Sequence, residues 1–181
     1  MVALGEIFFE GKDLQSLNHD QLYEARGRMG MLFQDAALFD SISVGENVAF
    51  PLQHHTTMTD EEITETVNRR LREVGLVGVE NQLPSELSGG MRKRVGLARA
   101  LVLDPDVIFF DEPTRGLDPI TAAAIDELIC ETQDRIKTTF VVISHDTAST
   151  QRIAQNVGML YQGNLVDFGP ARKVLHSADP V

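Results

Sequence analysis

Two adjacent carboxylates, Asp111 and Glu112, follow the apolar run Val107-Ile108-Phe109-Phe110. At the end of a buried strand such a pair divides labour. Asp111 is suited to hold a hydrated divalent cation such as Mg²⁺, and Glu112 to orient and deprotonate a water. General-base assistance of that kind is worth roughly 10²–10⁴ in rate. Upstream, Leu87-Ser88-Gly89-Gly90 opens an amphipathic helix. The first N–H groups of a helix lack intrahelical partners, and glycines let an anion approach them, so Ser88, Gly89 and Gly90 could cradle a phosphate. The dipole adds only about 0.3–1 kcal/mol when exposed and up to ~2 when partly buried. His145 closes a later strand, and Gln34, a neutral donor and acceptor able to touch both a metal and a water, follows an earlier one. Singly, each has a plainer reading. Ser88-Gly89-Gly90 is a serine N-cap after a glycine turn, Asp111-Glu112 a solvated acidic strand end, and His145 and Gln34 ordinary loop residues.

The elements around these residues decide whether they meet. Short strands are expected over 6–10 and 28–33, the second delivering Gln34, with Gly11-Lys12-Asp13 as a turn between them. Asn18 caps a short helix over 19–25. A helix over 43–50 is expected to stop before Pro51, because the residue before proline is pushed out of the α region. Thr59-Asp60-Glu61-Glu62 forms a capping box, followed by Ile63, Val67, Leu71 and Val74 at helical spacing, with Gly75 as the stop. The helix begun by Ser88 turns Met91, Val95, Ala98, Leu101 and Val102 inward. Strands over 107–110 and 139–143 bracket a helix capped by Asp118 and opened by Pro119, which reads as a parallel βαβ unit. Ligands bind at the carboxyl ends of such strands. Asp146 caps a further helix. Segments 157–161 and 165–168 form a hairpin about Gln162-Gly163-Asn164, and Pro170 opens a last short helix. No strand is expected over 51–103, which reads as a helical insertion.

Composition narrows the function. With 181 residues the chain fits one domain, and about 70% of the unfolded surface can be buried at that size. A net charge of −11 repels a phosphate backbone, so nucleic acid is not expected as a partner. The N-terminal residues lack the basic and apolar regions of a secretory signal. One cysteine, Cys130, excludes a disulfide framework and reads as structural. His54 and His55 read as surface histidines in a polar loop. Arg92, Lys93 and Arg94 read as a solvated helix face, and Met29 and Met31 as alternating core residues of a strand.

Taken in order, Gln34, a helical insertion, Leu87-Ser88-Gly89-Gly90, Asp111-Glu112, Gly116-Leu117-Asp118 and His145 resemble an ABC-transporter ATPase. The resemblance covers almost the whole chain. It implies an α/β fold with a P-loop NTPase-like parallel sheet core and a helical subdomain. Residues 1–50 and 104–181 would form a RecA-like core, and 51–103 the subdomain with the signature motif. It further implies ATP and Mg²⁺ as ligands. Gln34 would be a magnesium and water contact, Asp111 the Walker B aspartate, Glu112 the catalytic glutamate and His145 the switch histidine. Ser88, Gly89 and Gly90 would clasp ATP held by a second ATPase subunit, with Asp118 at that dimer interface. A membrane permease would be met through 34–50, which places the protein in the cytoplasm, peripheral on the inner face of the membrane.

Residues 31–41, 46–52 and 87–94, the last with Met91 where glutamine is usual, are similar to the ATPases of Mla-type (MCE) lipid transporters. That implies movement of phospholipid or a related lipid between membranes. Arg115 stands where a small residue is usual, and Ser144 where threonine is common. A phosphate loop G-x-x-x-x-G-K-[ST] does not occur in the 181 residues. Against the family pattern the domain is therefore expected to be incomplete at its N-terminus and short at its C-terminus. By itself the chain is expected to bind Mg-ATP poorly. A second reading makes it a non-catalytic partner that lends Ser88-Gly89-Gly90 to an intact ATPase.

Overall fold

The computed structural model describes residues 5–176. The segment expected to lack a secretory signal lies partly, and the expected short C-terminal end at 177–181 wholly, outside the described residues. The elements in chain order are β1 (Phe8–Phe9), β2 (Lys12–Asp13), α1 (His19–Gly27), β3 (Met29–Leu32), α2 (Val44–His55), α3 (Asp60–Glu73), α4 (Gly89–Leu101), β4 (Val107–Asp111), α5 (Pro119–Arg135), β5 (Thr139–Ile143), α6 (Thr147–Ile153), β6 (Asn156–Tyr161), β7 (Asn164–Pro170) and α7 (Ala171–Val174).

Strands β3, β4 and β5 form a parallel sheet in that order. β1–β2 and β6–β7 are separate antiparallel hairpins, so the segment about Gly11-Lys12-Asp13 turns directly into a second strand. A cavity of about 450 Å³, lined by Phe140, Val142 and Ser144 on one side and Asn156, Val157 and Gly158 on the other, lies between β5 and β6.

One face of the parallel sheet carries the core. Leu32, Ile108 and Phe110 are buried there against α4, whose Val95, Leu97, Ala98 and Leu101 are buried in turn. Helices α2 and α3 complete the cluster with Val48, Leu52, Ile63, Val67 and Leu71. The other face is open: Met31 is 41% and Ile143 60% exposed, although parallel sheets are normally covered on both faces. This corrects the expectation for Met31. The period of two is right, but α4 covers the face of Gly30 and Leu32.

Local caps form as expected. Asn18 with Gln21 and Thr59 with Glu62 make reciprocal capping boxes, and Asp118 accepts from the N–H groups of Ile120 and Thr121. Helix α2 does not stop before Pro51. It runs on to His55, so the position 50/51 division falls inside a helix. Proline removes one intrahelical bond, but Leu52 packs into the core and its carbonyl accepts from Thr56 through both N–H (3.0 Å) and Oγ1 (2.7 Å). Tertiary packing outweighs the local preference. His54 and His55 therefore lie on a helix, not in a loop. His55 stacks on Tyr23 with ring centroids 4.7 Å apart, and His54 Nδ1 lies 2.8 Å from the Phe50 carbonyl.

Asn47 fixes the chain between β3 and α2. Fully buried, it accepts from the Phe39 N–H at 2.8 Å and donates to the carbonyls of Phe39 and Ser43, each at 3.0 Å. Asn47→Leu keeps the branched shape but leaves the Phe39 N–H and carbonyl unpaired. It is expected to destabilise by roughly 2 kcal/mol, read from the urea midpoint. An unchanged midpoint would show that water replaces the amide.

Candidate functional site

Because β3, β4 and β5 run parallel, their carboxyl ends share one edge of the sheet. Gln34 follows β3 in a turn, Asp111 ends β4 with Glu112 directly after it, and His145 follows β5. Asp111 is held in register opposite Ile143, and the Glu112 N–H donates to the Ile143 carbonyl at 2.9 Å. The Glu112 side chain is 15% exposed, and its Oε1 lies 2.6 Å from His145 Nδ1. The imidazole itself stands largely in solvent. Glu112 and His145 thus meet although 33 residues separate them.

The backbone around them is strained. Ala36 (φ 61°), Ala37 (φ 45°) and Glu112 (φ 48°) occupy the left-handed region without being glycine. Each such residue costs on the order of 1–2 kcal/mol and persists only where its surroundings hold it. The hold comes from cations on α4. Lys93 Nζ donates to the carbonyls of Gln34 and of Glu112, the second at 3.3 Å. Arg99 donates to the carbonyls of Ala36 (2.7 Å) and Ala37 (2.9 Å).

This corrects the reading of Arg92, Lys93 and Arg94 as a solvated face. Lys93 is 5% exposed, Arg92 donates to the Leu87 carbonyl and Arg94 to the Val74 carbonyl, each at 2.7 Å. Backbone acceptors leave no mark in a sequence, so only the fold could show these contacts. Arg115 joins the site as well. Its Nη1 donates to Gln34 Oε1 at 3.2 Å, the one position where the sequence departs from its resemblance by adding a charge.

Ser88, Gly89 and Gly90 stand apart from this edge. The Ser88 hydroxyl accepts from the Met91 N–H at 3.3 Å as the N-cap of α4. Gly90 lies against α5, where an added Cβ would come 2.6 Å from Thr121 Cγ2. Among the described residues no hydrogen bond joins these three to Asp111, Glu112 or His145. Asp118 is engaged in its own cap: the Thr121 hydroxyl (2.5 Å), then the N–H groups of Thr121 and Ile120 (3.1 Å each), hold its carboxyl below the usual range.

Asp111 and Gln34 offer a carboxylate and an amide oxygen, hard donors of the kind Mg²⁺ takes alongside water and phosphate. Among the described residues there is no cluster of three His, Cys, Asp or Glu that would cage a metal by protein ligands alone. Asp111 and Gln34 suit a cation that takes its remaining ligands from water or a phosphate. Cys130 lies apart, with burial pushing its thiol pKa up, in keeping with a packing residue. Among the described residues no helix is long and apolar enough to cross a membrane.

The chain matches the model of the ABC transporter family over residues 2–115. It is 45% identical over 177 residues to the probable ribonucleotide transport ATP-binding protein mkl of Mycobacterium leprae, covering 98% of this chain and 51% of that protein. It is 44% identical to the intermembrane phospholipid transport system ATP-binding protein MlaF of Haemophilus influenzae, covering 99% of this chain and 68% of MlaF. The chain thus spans from about half to two thirds of the length of these relatives. Among solved structures it resembles an ATP-binding cassette caught as a dimer in a post-hydrolysis state with ADP and Pi (TM-score 0.82, 29% identity, 93% of this chain and 74% of that one). It also resembles cbiO1 of Clostridium perfringens, part of the ABC transporter complex cbiONQ (TM-score 0.85, 30% identity, 94% and 67%).

Proposed function

This chain belongs to the ABC transporter family, and from that premise we propose that it is the ATP-hydrolysing part of a transporter that moves phospholipid or a related lipid between membranes. The observation that carries the hydrolytic reading is the 2.6 Å contact between Glu112 and His145 at the carboxyl edge of the parallel sheet. In this reading Glu112 orients the attacking water and takes its proton. With both ring nitrogens protonated, His145 can donate Nδ1–H to Glu112 and Nε2–H to a phosphate oxygen. Asp111 and Gln34 would hold Mg²⁺, which when bound stabilises charge developing on the transferred phosphoryl group. No G-x-x-x-x-G-K-[ST] loop to grip the β- and γ-phosphates occurs within these 181 residues.

Among the described residues the helix start at Ser88-Gly89-Gly90 has no bond to Asp111, Glu112 or His145, and its use on ATP held by a second subunit, with Asp118 beside it, is the reading adopted. We assign 51–103 to the subdomain that carries this clasp and the described residues of 1–50 and 104–181 to the core, with α2 running across the boundary at 50/51. The MlaF likeness supports the lipid cargo, whereas mkl carries the name of a ribonucleotide transporter. The location proposed is the cytoplasmic face of the membrane. ATP turnover by the native protein, reconstituted with its permease in phospholipid vesicles, tests the reading. Turnover that appears only when a separate intact ATPase is added would make the chain a non-catalytic partner.

The permease surface is assigned to 34–50. Ala36 is buried and Leu38 packs on the core, but Phe39 is 45% exposed and rests on Phe50 with ring centroids 4.9 Å apart. An exposed aromatic pair beside the Gln34 turn suits an apolar helix end from a membrane subunit. Phe39→Ala is expected to weaken permease capture about thirtyfold, since a buried aromatic anchor is worth at least ~2 kcal/mol. The melting temperature should stay unchanged. Intact capture with a lowered melting temperature would make Phe39 a packing residue only.

A further inference from the structure

We propose that Lys93 is a positioning residue whose ammonium ties the turn after β3 to the end of β4, so that Gln34 and Glu112 move as one piece. The inference rests on the reading of Glu112 as the base, and goes beyond it by naming what holds that base in place.

Lys93 leaves α4 one helical turn after Gly89, and it is almost wholly buried. A buried ammonium must be satisfied by partners. Among the described residues Lys93 has no carboxylate at ion-pair distance; its partners are the carbonyls of Gln34 and Glu112. Burial lowers its pKa, while the charges of Asp35, Asp111 and Glu112 act to keep it protonated. Hydrogen bonds to an ionised donor are stronger than neutral ones, so one side chain clamps two separate segments.

The positions of the clamped carbonyls give the tether its meaning. Ala36, Ala37 and Glu112 are the left-handed residues of the site, and each has its carbonyl gripped by a cation from α4: Arg99 on the first two, Lys93 on the third. Glu112 keeps its unusual backbone, and with it the direction of its carboxylate, through the Ile143 bond, the Arg115 N–H on its carbonyl (3.2 Å) and Lys93, of which only Lys93 also reaches Gln34. Gln34 shares the same ammonium. Its side-chain amide oxygen meanwhile accepts from Arg115. A displacement of the 34–37 turn therefore reaches Glu112 through the backbone carbonyls, by way of one side chain.

The test compares wild type, Lys93→Met and Lys93→Arg in the native full-length protein. Lys93→Met keeps the apolar stem and removes the ammonium. Amide exchange in 35–37 and 112–115 should rise about tenfold or more, as expected on losing hydrogen bonds to a charged group, with α3 unchanged. The kcat for ATP should fall on the order of 10- to 100-fold at constant KM, the signature of a misplaced catalytic group. Lys93→Arg should restore both. Uniform loosening of the chain, or a Lys93→Met kcat within about threefold of wild type, overturns the proposal. So does failure of Lys93→Arg to restore either readout while melting like wild type. An inactive wild type would sink the reading of Glu112 as base, and the exchange pattern alone would then decide the tether.

Discussion

Glu112→Gln in the native full-length protein is expected to slow ATP hydrolysis by roughly 10²–10⁴-fold, the range lost when a positioned general base is removed. The substitution is close to isosteric. The amide oxygen can still meet His145, and the Glu112 backbone bonds to Ile143 and Lys93 do not involve the side chain. What disappears is the basic oxygen that takes the proton of the attacking water. Nucleotide should remain bound, because in this reading the Glu112 side chain acts on the water and not on the phosphates. Single-turnover hydrolysis measured beside equilibrium binding of ATP checks both halves. Hydrolysis within about threefold of wild type would remove Glu112 from the chemistry, and loss of binding with loss of rate would make it a ligand of the nucleotide instead.

The second large effect is on stability, at Gly30. Helix α4 lies directly on β3. A Cβ built at Gly30 would stand 2.4 Å from the Ala100 carbonyl oxygen and 3.2 Å from Ile108 Cγ1. The first obstacle is backbone, which no rotamer change can move aside. Gly30→Val must therefore push α4 off the sheet, and α4 carries Lys93, Arg99 and the Ser88 cap. Overpacking of this kind costs about 3 kcal/mol or more. For a chain of this size that corresponds to a melting temperature lowered by roughly 6–12 °C. A melt within about 2 °C of wild type would show that α4 shifts freely, and the tight β3–α4 contact would then not be what sets the site.

How much of this could be read beforehand depended on the range of the forces involved. The Asn18 cap, the Thr59 capping box and the Asp118-Pro119 helix start form between residues two or three apart, and they appear where expected. Strand and helix periods were equally legible, and with them the βαβ unit that brings Asp111, Glu112 and His145 to one edge. Pro51 was misjudged because the local rule is weaker than the packing of Leu52. Lys93 was misread because a cation between two other cations looks solvated until the carbonyls of Gln34 and Glu112 are seen around it. The pairing of Arg115 with Gln34 spans 81 residues and has no local trace, although the unusual charge at 115 marked the position.

The residue order by itself determined the chemistry-bearing types, their succession along the chain and the elements that carry them. Those follow from covalent spacing and hydrogen bonds within a turn or two of helix. The tertiary structure alone decided which sheet face is covered, since alternation at Met29, Gly30, Met31 and Leu32 defines two faces but not which one α4 will meet. It also decided how the strained backbone at Ala36, Ala37 and Glu112 is held. Burial makes an unpaired ammonium too costly to leave, and the acceptors that satisfy Lys93 are peptide carbonyls, which every residue possesses and no sequence can distinguish.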